Sequence, residues 1–497
     1  MKITKLLKDK NLVDKIFPFG LDEFASINPV NNKLIKKFEY DTKEEVIEKI
    51  SKSQKSFEDW RFRGLDYRLG KMKKLAENLE KAKEELSKSI SMEMGKPITQ
   101  SKGEVEKSIK HIFYYINNAK SFLHYKEIKF ENFDNIVEYE PLGPILNITS
   151  WNFPIWTPFK SVIPCLVAGN TVIQKPASRV LNSSKIVERL FQESGFNDAF
   201  QVAIVPHEMV EDTLFPDFRI RSAIFTGSTR IGRKVGELCG RYLKKPLLEL
   251  GGSDPLIILE DADLSKAVES SAEGRLRNTG QACISAKRII IHESLYENFL
   301  QLLKQELKKY KQGDPMDANT KLGPLARFDL FLNLKRQVIE TLQSDSAKFV
   351  PLDEDNTQST RSTKEIIDEI DCEYSIEQGN WFKPIILTDI KQGCPARSEE
   401  LFGPVLSVYK FKTVEEAISL SNETEYGLGA SVFTKDEKKA VDIARRVDSG
   451  MVFINSSTLS DSRLPYGGCK NSGFGRTSAD NALYEFTNNK VISIRKK

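Results

Sequence analysis

Short apolar runs alternate with helical stretches over most of the chain beyond Gly143, and this alternation is the strongest constraint on its fold. One series of runs lies at 145–148, 171–174, 201–205 and 223–226. A second series lies at 255–259, 288–291, 405–411, 431–434 and 451–454. Strands that alternate with helices form parallel sheets with helices on their faces. We therefore predict an α/β fold with two doubly wound parallel-sheet domains.

The segment before the first strand series has the spacing of amphipathic helices. Apolar residues along 75–90 predict one long helix that ends near 95–97, and a second apolar stripe over 105–116 predicts another helix. Both stripes are expected to face the core.

The length of 497 residues exceeds what one ordinary core supports, so several domains are expected. We predict a first domain over 1–126 and 143–250, a second domain over 251–484, and a small β-arm over 127–142 and 485–497. Within the arm, 135–140 and 491–494 alternate with a period of two. These strands suit pairing between the subunits of a homodimer or homotetramer, or an intrachain ribbon.

Composition argues against several classes of partner. The net charge is +4, from 74 basic and 70 acidic residues, which gives no reason to expect nucleic acid binding. Four histidines and six cysteines, without a C-x-x-C pair, predict no metal site. No apolar run is long enough to span a bilayer. The start of the chain lacks the apolar core of a signal peptide, so we predict a cytoplasmic location. Because the start is basic, the mitochondrial matrix is the alternative.

Two reactive groups stand out in this setting. Cys283 follows Asn278-Thr279-Gly280-Gln281-Ala282, and Glu249 precedes Leu250-Gly251-Gly252. A thiolate is a competent nucleophile, and a carboxylate can activate the water that hydrolyses a thioester. Taken alone, Cys283 could be a small buried cysteine and Glu249 a helix-end or ion-paired carboxylate.

Three further positions lie where ligands bind in open α/β sheets, beyond the carboxyl ends of strands. Asn152 could aim its amide at an oxyanion, or could be a turn asparagine. Lys175 could bind a ribose or phosphate, or be solvated. The turn Gly227-Ser228-Thr229-Arg230-Ile231-Gly232 could receive a phosphate, although an ordinary helix start has the same pattern.

Seven motifs in order turn these separate positions into one pattern. They are Trp151-Asn152-Phe153-Pro154, Lys175-Pro176-Ala177, Phe225-Thr226-Gly227-Ser228, Glu249-Leu250-Gly251-Gly252, Asn278-Thr279-Gly280-Gln281-x-Cys283, Glu400-x-Phe402-Gly403-Pro404 and Pro465-Tyr466-Gly467-Gly468-x-Lys470-x-Ser472-Gly473. The series resembles the aldehyde dehydrogenase superfamily over nearly the whole chain. Within it, the chain looks most like the succinate-semialdehyde dehydrogenases.

The resemblance implies two Rossmann-like domains, one for the cofactor and one catalytic, with an oligomerisation arm. It implies that Cys283 attacks the aldehyde, that Asn152 and the Cys283 N–H hold the oxyanion, and that Glu249 activates water. It also implies a set of residues that bind NAD or NADP: Ser150, Trp151, Lys175, Ser178, Gly227, Ser228, Gly232, Leu250, Glu400 and Phe402. Ser178 stands where many NAD-preferring relatives have glutamate, so we expect NADP to be tolerated.

For the substrate, the resemblance implies that Arg277 binds the distal carboxylate of succinate semialdehyde, with Lys160 and Ser460 in the same pocket. The alternatives are a broad-specificity aliphatic or aromatic aldehyde dehydrogenase and, more distantly, a non-catalytic binding or structural member. Two departures from the family pattern are Thr477, where glutamate is usual, and a longer polar excursion over 353–379, which we interpret as a surface segment.

Overall fold

The computed structural model describes residues 24–352, 361–371 and 376–496, which form two large sheets, smaller antiparallel pieces and the helices that cover them. The strands are β1 Ala25–Asn28, β2 Lys33–Lys37, β3 Lys126–Phe130, β4 Phe133–Pro141, β5 Pro144–Ile148, β6 Thr171–Lys175, β7 Phe200–Val202, β8 Ser222–Thr226, β9 Lys245–Glu249, β10 Asp254–Ile258, β11 Ala286–His292, β12 Lys348–Val350, β13 Ile385–Thr388, β14 Val405–Phe411, β15 Tyr426–Gly427, β16 Gly429–Phe433, β17 Met451–Ile454, β18 Cys469–Lys470, β19 Gly473–Phe474 and β20 Thr487–Arg495.

The α-helices within the same ranges are α1 Lys43–Trp60, α2 Leu65–Lys81, α3 Lys83–Met94, α4 Ile98–Phe122, α5 Trp156–Ala168, α6 Leu181–Glu193, α7 His207–Met209, α8 Thr229–Arg241, α9 Leu264–Leu276, α10 Tyr296–Leu307, α11 Phe328–Gln343, α12 Thr363–Ile370, α13 Pro395–Ser398, α14 Val414–Asn422, α15 Glu437–Arg446 and α16 Asn481–Glu485. The helix predicted across 75–90 is in fact two helices, because the chain leaves helical geometry at Ala82, between α2 and α3.

The first large sheet has the strand order β19-β9-β8-β5-β6-β7. All its pairings are parallel except that of β19, which runs antiparallel to β9. Every residue of β5 and β6 is buried, as expected for strands covered on both faces. One strand, β19, comes from the predicted second domain, so residues near the C-terminus complete the first sheet.

The second large sheet has the order β12-β13-β14-β11-β10-β16-β17, again parallel apart from the edge strand β12. Together the two sheets confirm the predicted α/β fold with parallel-strand sheets. The division into domains at the predicted boundaries stays a prediction.

A buried ion pair positions the start of α5. Lys96 pairs with Glu104 on α4, and both side chains are almost fully buried. The other oxygen of Glu104 accepts hydrogen bonds from the backbone N–H groups of Ile155 (2.8 Å) and Trp156 (3.0 Å). A carboxylate at a helix start satisfies N–H groups that have no partner within the helix. The pair therefore holds the loop that carries Asn152.

The β-arm is a three-stranded antiparallel sheet in the order β20-β4-β3. Its two predicted strands pair with each other within the chain, for instance Val137 with Val491, so the intrachain ribbon is present. Ile128, Phe130, Val491 and Ile494 on this sheet are exposed. Contact between subunits through the arm stays a prediction.

The polar excursion at 353–379 is described only in part. Its described portion contains α12, which begins at a capping box formed by Ser362 and Glu365. The basic start of the chain lies outside the described residues. Across the ranges that are described, no helix is long and apolar enough to cross a membrane.

Candidate functional site

A cavity of about 1380 Å³ opens at the carboxyl ends of the strands of the first sheet. Its walls include the loop after β5, the end of β6, the turn after β8 and the end of β9. The loops that precede β11 and β14 of the second sheet contribute residues 282–284, Glu400 and Phe402. This is the place where ligands bind in open α/β sheets.

A strained turn presents Cys283 to the cavity. Asn278 (φ 52°) and Thr279 (φ 55°) adopt left-handed backbone conformations, and Gly280 follows at φ 77°. A Cβ on Gly280 would lie 2.4 Å from the Gly403 backbone, so glycine is required at this close approach. Arg275, which is fully buried, anchors the turn by donating to the carbonyls of Gly280 (3.2 Å) and of two residues near Gly403, Leu401 and Val405. Strain held in this way is typical of functional sites.

The thiol of Cys283 lies 3.0 Å from the hydroxyl of Tyr466. Burial raises the pKa of the thiol, while the nearby Lys160 ammonium and the hydrogen bond from Tyr466 oppose that rise. Burial also raises the pKa of Tyr466 well above its usual value, so this hydroxyl stays protonated and can donate to a thiolate. The sequence identified the motif of Tyr466 but assigned no role to it.

Asn152 is fixed beside the nucleophile by its neighbours. Its amide nitrogen donates to the carbonyl of Gln281 at 3.0 Å, and its amide oxygen accepts from the Ser150 hydroxyl at 2.7 Å. Asn278 donates to the Asn152 carbonyl at 2.9 Å. A primary amide has two N–H groups, so one remains for an oxyanion.

Glu249 ends β9 with both carboxylate oxygens engaged. Lys160 on α5 donates to one oxygen at 2.6 Å, and the Thr477 hydroxyl donates to the other. Both members of the ion pair are almost fully buried. Thr477 is the residue noted as a departure from the family pattern, and the structure places it directly on the predicted base. Lys160 is thus engaged with Glu249, and its contact with a substrate carboxylate stays a prediction.

One hairpin delivers both hydroxyl groups. Tyr466 and Thr477 exchange two backbone hydrogen bonds, at 2.7 and 2.8 Å. The Lys160 ammonium also lies 3.7 Å from the centre of the Tyr466 ring. Cys283 and Glu249 are therefore linked through Lys160, Tyr466 and Thr477.

The predicted phosphate turn has the geometry of a cradle. Ser228 precedes α8, and no side chain caps the first N–H groups of this helix. A Cβ on Gly232 would lie 2.3 Å from Leu250, and one on Gly227 would lie 2.5 Å from Phe225. Glycine at both positions lets the helix start pack close to the sheet, where Gly227, Ser228 and Arg230 line the cavity.

Lys175 ends β6 and is buried, yet its ammonium has no hydrogen bond or ion pair with any described residue. Burial lowers its pKa to about 8. Ser178 lies on the same wall of the cavity. An unpartnered buried cation beside a cavity fits an anionic or hydroxyl-rich ligand.

Glu400 and Phe402 stand on the opposite wall. Glu400 accepts from the Gly252 N–H at 3.1 Å and pairs with Lys287 at 3.0 Å. Lys287 also donates to the Cys283 carbonyl at 2.7 Å, so it joins Glu400 to the nucleophile loop. The Phe402 ring lies edge-on to Trp151 with centroids 5.8 Å apart. Lys287 was not among the predicted site residues.

The predicted substrate residues all line the cavity. Arg277 pairs with Glu273 at 2.8 Å, and its side chain is 33% exposed. The Ser460 hydroxyl accepts a hydrogen bond from the Trp156 indole at 3.2 Å. Lys107, on α4, lines the same cavity and was missed, because it sits in a run of helical lysines and glutamates that is typical of a solvated face.

No cluster of three or more histidine, cysteine, aspartate or glutamate side chains that could hold a metal occurs in the part of the chain that the structure describes.

Comparison with known proteins agrees with this geometry. The family model "Aldehyde dehydrogenase family" matches residues 19–492. The chain is 35% identical over 467 residues to succinate semialdehyde dehydrogenase (NAD(P)+) Sad of Escherichia coli, covering 94% of this chain and 97% of that one. It is 35% identical over 469 residues to succinate-semialdehyde dehydrogenase (NADP+) of Deinococcus radiodurans, covering 94% of each.

A solved structure is also similar over nearly the whole length. The succinic semialdehyde dehydrogenase of Streptococcus pyogenes, crystallised in complex with NADP+, superposes with a TM-score of 0.88 at 29% identity. The match covers 95% of this chain and 100% of that chain.

Removal of the Tyr466 hydroxyl should slow alkylation of Cys283. The thiolate is the reactive form, and a donated hydrogen bond stabilises it, so Tyr466→Phe should raise the thiol pKa further. We expect iodoacetamide to label Cys283 roughly threefold to tenfold more slowly near pH 8, with the rate still rising with pH. Labelling is measured by mass spectrometry of the Cys283 peptide.

Phenylalanine keeps the ring that Lys160 contacts, and Cys283→Ser gives the background labelling of the other cysteines. Equal or faster labelling of Cys283 in Tyr466→Phe would show that the hydroxyl does not stabilise the thiolate.

Proposed function

This chain belongs to the aldehyde dehydrogenase family, and we propose that it oxidises succinate semialdehyde to succinate with NADP or NAD as the hydride acceptor. The reaction class, NAD(P)-dependent aldehyde oxidation, follows from the family and from relatives that cover almost the whole chain. The observation that carries the proposal is the linked set of Cys283, Glu249 and their shared contacts in one cavity.

The cofactor proposal rests on how the residues present fit a dinucleotide. The uncapped start of α8 would face a phosphate, and the unpartnered Lys175 ammonium would contact the adenosine ribose or its phosphate. Glu400 would contact the nicotinamide ribose, and Phe402 would pack near the ring. The relatives named above are dehydrogenases of NAD(P)+ or NADP+. When bound, the nicotinamide accepts the hydride that leaves the aldehyde carbon, and a thioester on Cys283 remains.

The nucleophilic step forms a bond between Cys283 Sγ and the aldehyde carbon. The carbonyl oxygen becomes an oxyanion, for which Asn152 has a free N–H beside the Cys283 backbone N–H. Tyr466 and Lys160 favour the thiolate that attacks. Because Asn152 is held by Ser150 and Gln281, the donor is oriented before the substrate arrives.

The hydrolytic step needs Glu249 to take a proton from water while the acyl–sulfur bond breaks. Lys160 and Thr477 hold the carboxylate in place. The carboxylate must leave at least one of these contacts to reach water next to the thioester. Thr477 and, at 3.4 Å, Thr226 hold the carboxylate through neutral hydroxyl groups, so these contacts should break more easily than the contact with the Lys160 ammonium.

Specificity for a semialdehyde needs cations that face its distal carboxylate. Arg277 lines the cavity with a partly exposed guanidinium, which suits a second, bidentate contact. The broad-specificity alternative has one observation in its favour, because Arg277 and Lys160 both already pair with carboxylates of the protein. Intact Cys283, Glu249 and Asn152 disfavour a non-catalytic role.

Glu249→Gln should separate the two halves of the reaction. The amide cannot take a proton from water, so hydrolysis should slow by roughly a hundredfold or more while the first turnover persists. Rapid mixing should show a burst of reduced cofactor that approaches one equivalent of enzyme, followed by a slow phase. Cys283→Ala should abolish both phases, and a burst-free but active Glu249→Gln enzyme would remove Glu249 from hydrolysis.

Ser178→Glu should convert cofactor choice. A carboxylate at this position would repel a 2′-phosphate and bind a ribose diol, so catalytic efficiency with NADP should fall on the order of tenfold to a hundredfold relative to NAD. The measurement is kcat/KM with each cofactor at saturating aldehyde, with Ser178→Gln as the uncharged control. An unchanged ratio would place the adenosine ribose elsewhere.

Arg277→Ala tests the substrate. We expect the wild-type enzyme to favour succinate semialdehyde over n-pentanal, and the substitution should raise KM for the semialdehyde about tenfold more than for pentanal. Arg277→Lys keeps the positive charge but loses the forked geometry of the guanidinium. Its KM for the semialdehyde should lie between the values for the wild type and for Arg277→Ala. A wild-type enzyme without preference for the carboxylate would favour the broad-specificity alternative.

A further inference from the structure

Among the cations that line the cavity, Lys160 and Arg277 lie near enough to Lys107 to repel it, and the three differ in what they already bind. Lys160 is buried and pairs with Glu249 at 2.6 Å. Arg277 pairs with Glu273 at 2.8 Å. Lys107, the third, forms no ion pair or hydrogen bond with any residue that the structure describes. Of these three cations, Lys107 is therefore the one whose ammonium can still accept a carboxylate partner.

The position of the Lys107 ammonium is fixed by an aromatic ring. Its nitrogen lies 4.1 Å from the centre of the Trp156 ring, within the range of a cation–π contact. The indole N–H of Trp156 donates to Ser460 at 3.2 Å, which fixes the ring in turn. The stem of Lys107 is partly buried on α4, so the charged end is directed rather than free in solvent.

The charged groups around Lys107 come from every element packed against it. Two cations repel it, Lys160 on α5 and Arg277 after α9. Two carboxylates attract it more weakly, Glu104 on its own helix and Asp461 in the loop after β17. Burial and the two cations lower the pKa of Lys107 to about 7. The nearby His111 has a pKa lowered to about 3 and stays neutral.

We propose that Lys107 is a specificity-determining residue whose ammonium binds the terminal carboxylate of a carboxylated aldehyde. The inference rests on the proposed function and names the group that reads the substrate's far end. A carboxylate that entered the space between Lys107, Arg277 and Ser460 would relieve the repulsion among the cations and give Lys107 its missing partner. The carboxylate of the substrate thereby replaces the counter-ion that the protein itself does not supply.

The substitution Lys107→Met tests this role because methionine keeps an unbranched apolar stem against Trp156 and removes the charge. We expect KM for succinate semialdehyde to rise about tenfold with kcat within about twofold, and both constants for n-pentanal to stay within about twofold. Lys107→Arg should retain the low KM to within about threefold. Lys110→Met, an exposed lysine on the same helix, is the matched control and should match the wild type.

The pH dependence gives a readout that a structural role would not produce. The ratio of kcat/KM for succinate semialdehyde to that for pentanal cancels the titration of Cys283, which both aldehydes share. Because the Lys107 pKa is about 7, this ratio should fall as pH rises through that value in the wild type. In Lys107→Arg the ratio should stay level, since guanidinium keeps its proton.

The outcomes separate the two proposals. A wild type that prefers the semialdehyde, together with an unchanged preference in Lys107→Met, overturns the role of Lys107 and leaves the proposed function standing. Equal losses for both aldehydes in Lys107→Met also overturn it, because they would show a general effect on the site. A wild type without any preference for the carboxylate overturns the proposed substrate and the role of Lys107 together.

Discussion

The buried ion pair between Lys160 and Glu249 is the interaction on which the site depends. It joins α5 to the end of β9, and the same ammonium lies over the Tyr466 ring. Removing one member of such a pair leaves an uncompensated charge in a low-dielectric interior, which typically costs about 3–5 kcal/mol. The pair therefore fixes the Glu249 carboxylate and holds the Lys160 ammonium against the ring of the tyrosine that contacts Cys283.

The pair works within a frame of equally constrained segments. The left-handed turn before Cys283 persists because the buried Arg275 binds its carbonyl and two carbonyls from the strand and loop beside it. On the opposite side, Glu104 holds the loop of Asn152 through the N–H groups at the start of α5. Cys283 and Asn152 are thus held by segments from two different sheets, and hydrogen bonds from Asn152 to Gln281 and from Asn278 to Asn152 join those segments.

Sequence reasoning located most strands of the two large sheets because burial imposes a local pattern, but it predicted no strand at β9, at β13 or at short pairs such as β1 and β2. Runs such as β5 and β14 are apolar for the reason that helices cover the sheets on both faces. It failed at Ala82, where the apolar stripe continues across a break between two helices and so gives no sign of it. It also passed over Lys107, since a lysine in a charged helix looks the same whether it faces solvent or a cavity.

The identity of the chemistry was determined by the sequence alone, because a thiol, a carboxylate and an amide in ordered motifs restrict the reaction to one class. Which charges meet was decided only by the tertiary structure. Lys160 and Glu249 lie 89 residues apart, and Thr477 lies 228 residues from Glu249. Local periodicity records whether a side chain is buried, but the partner of a buried charge depends on which distant segments the folded sheets bring together.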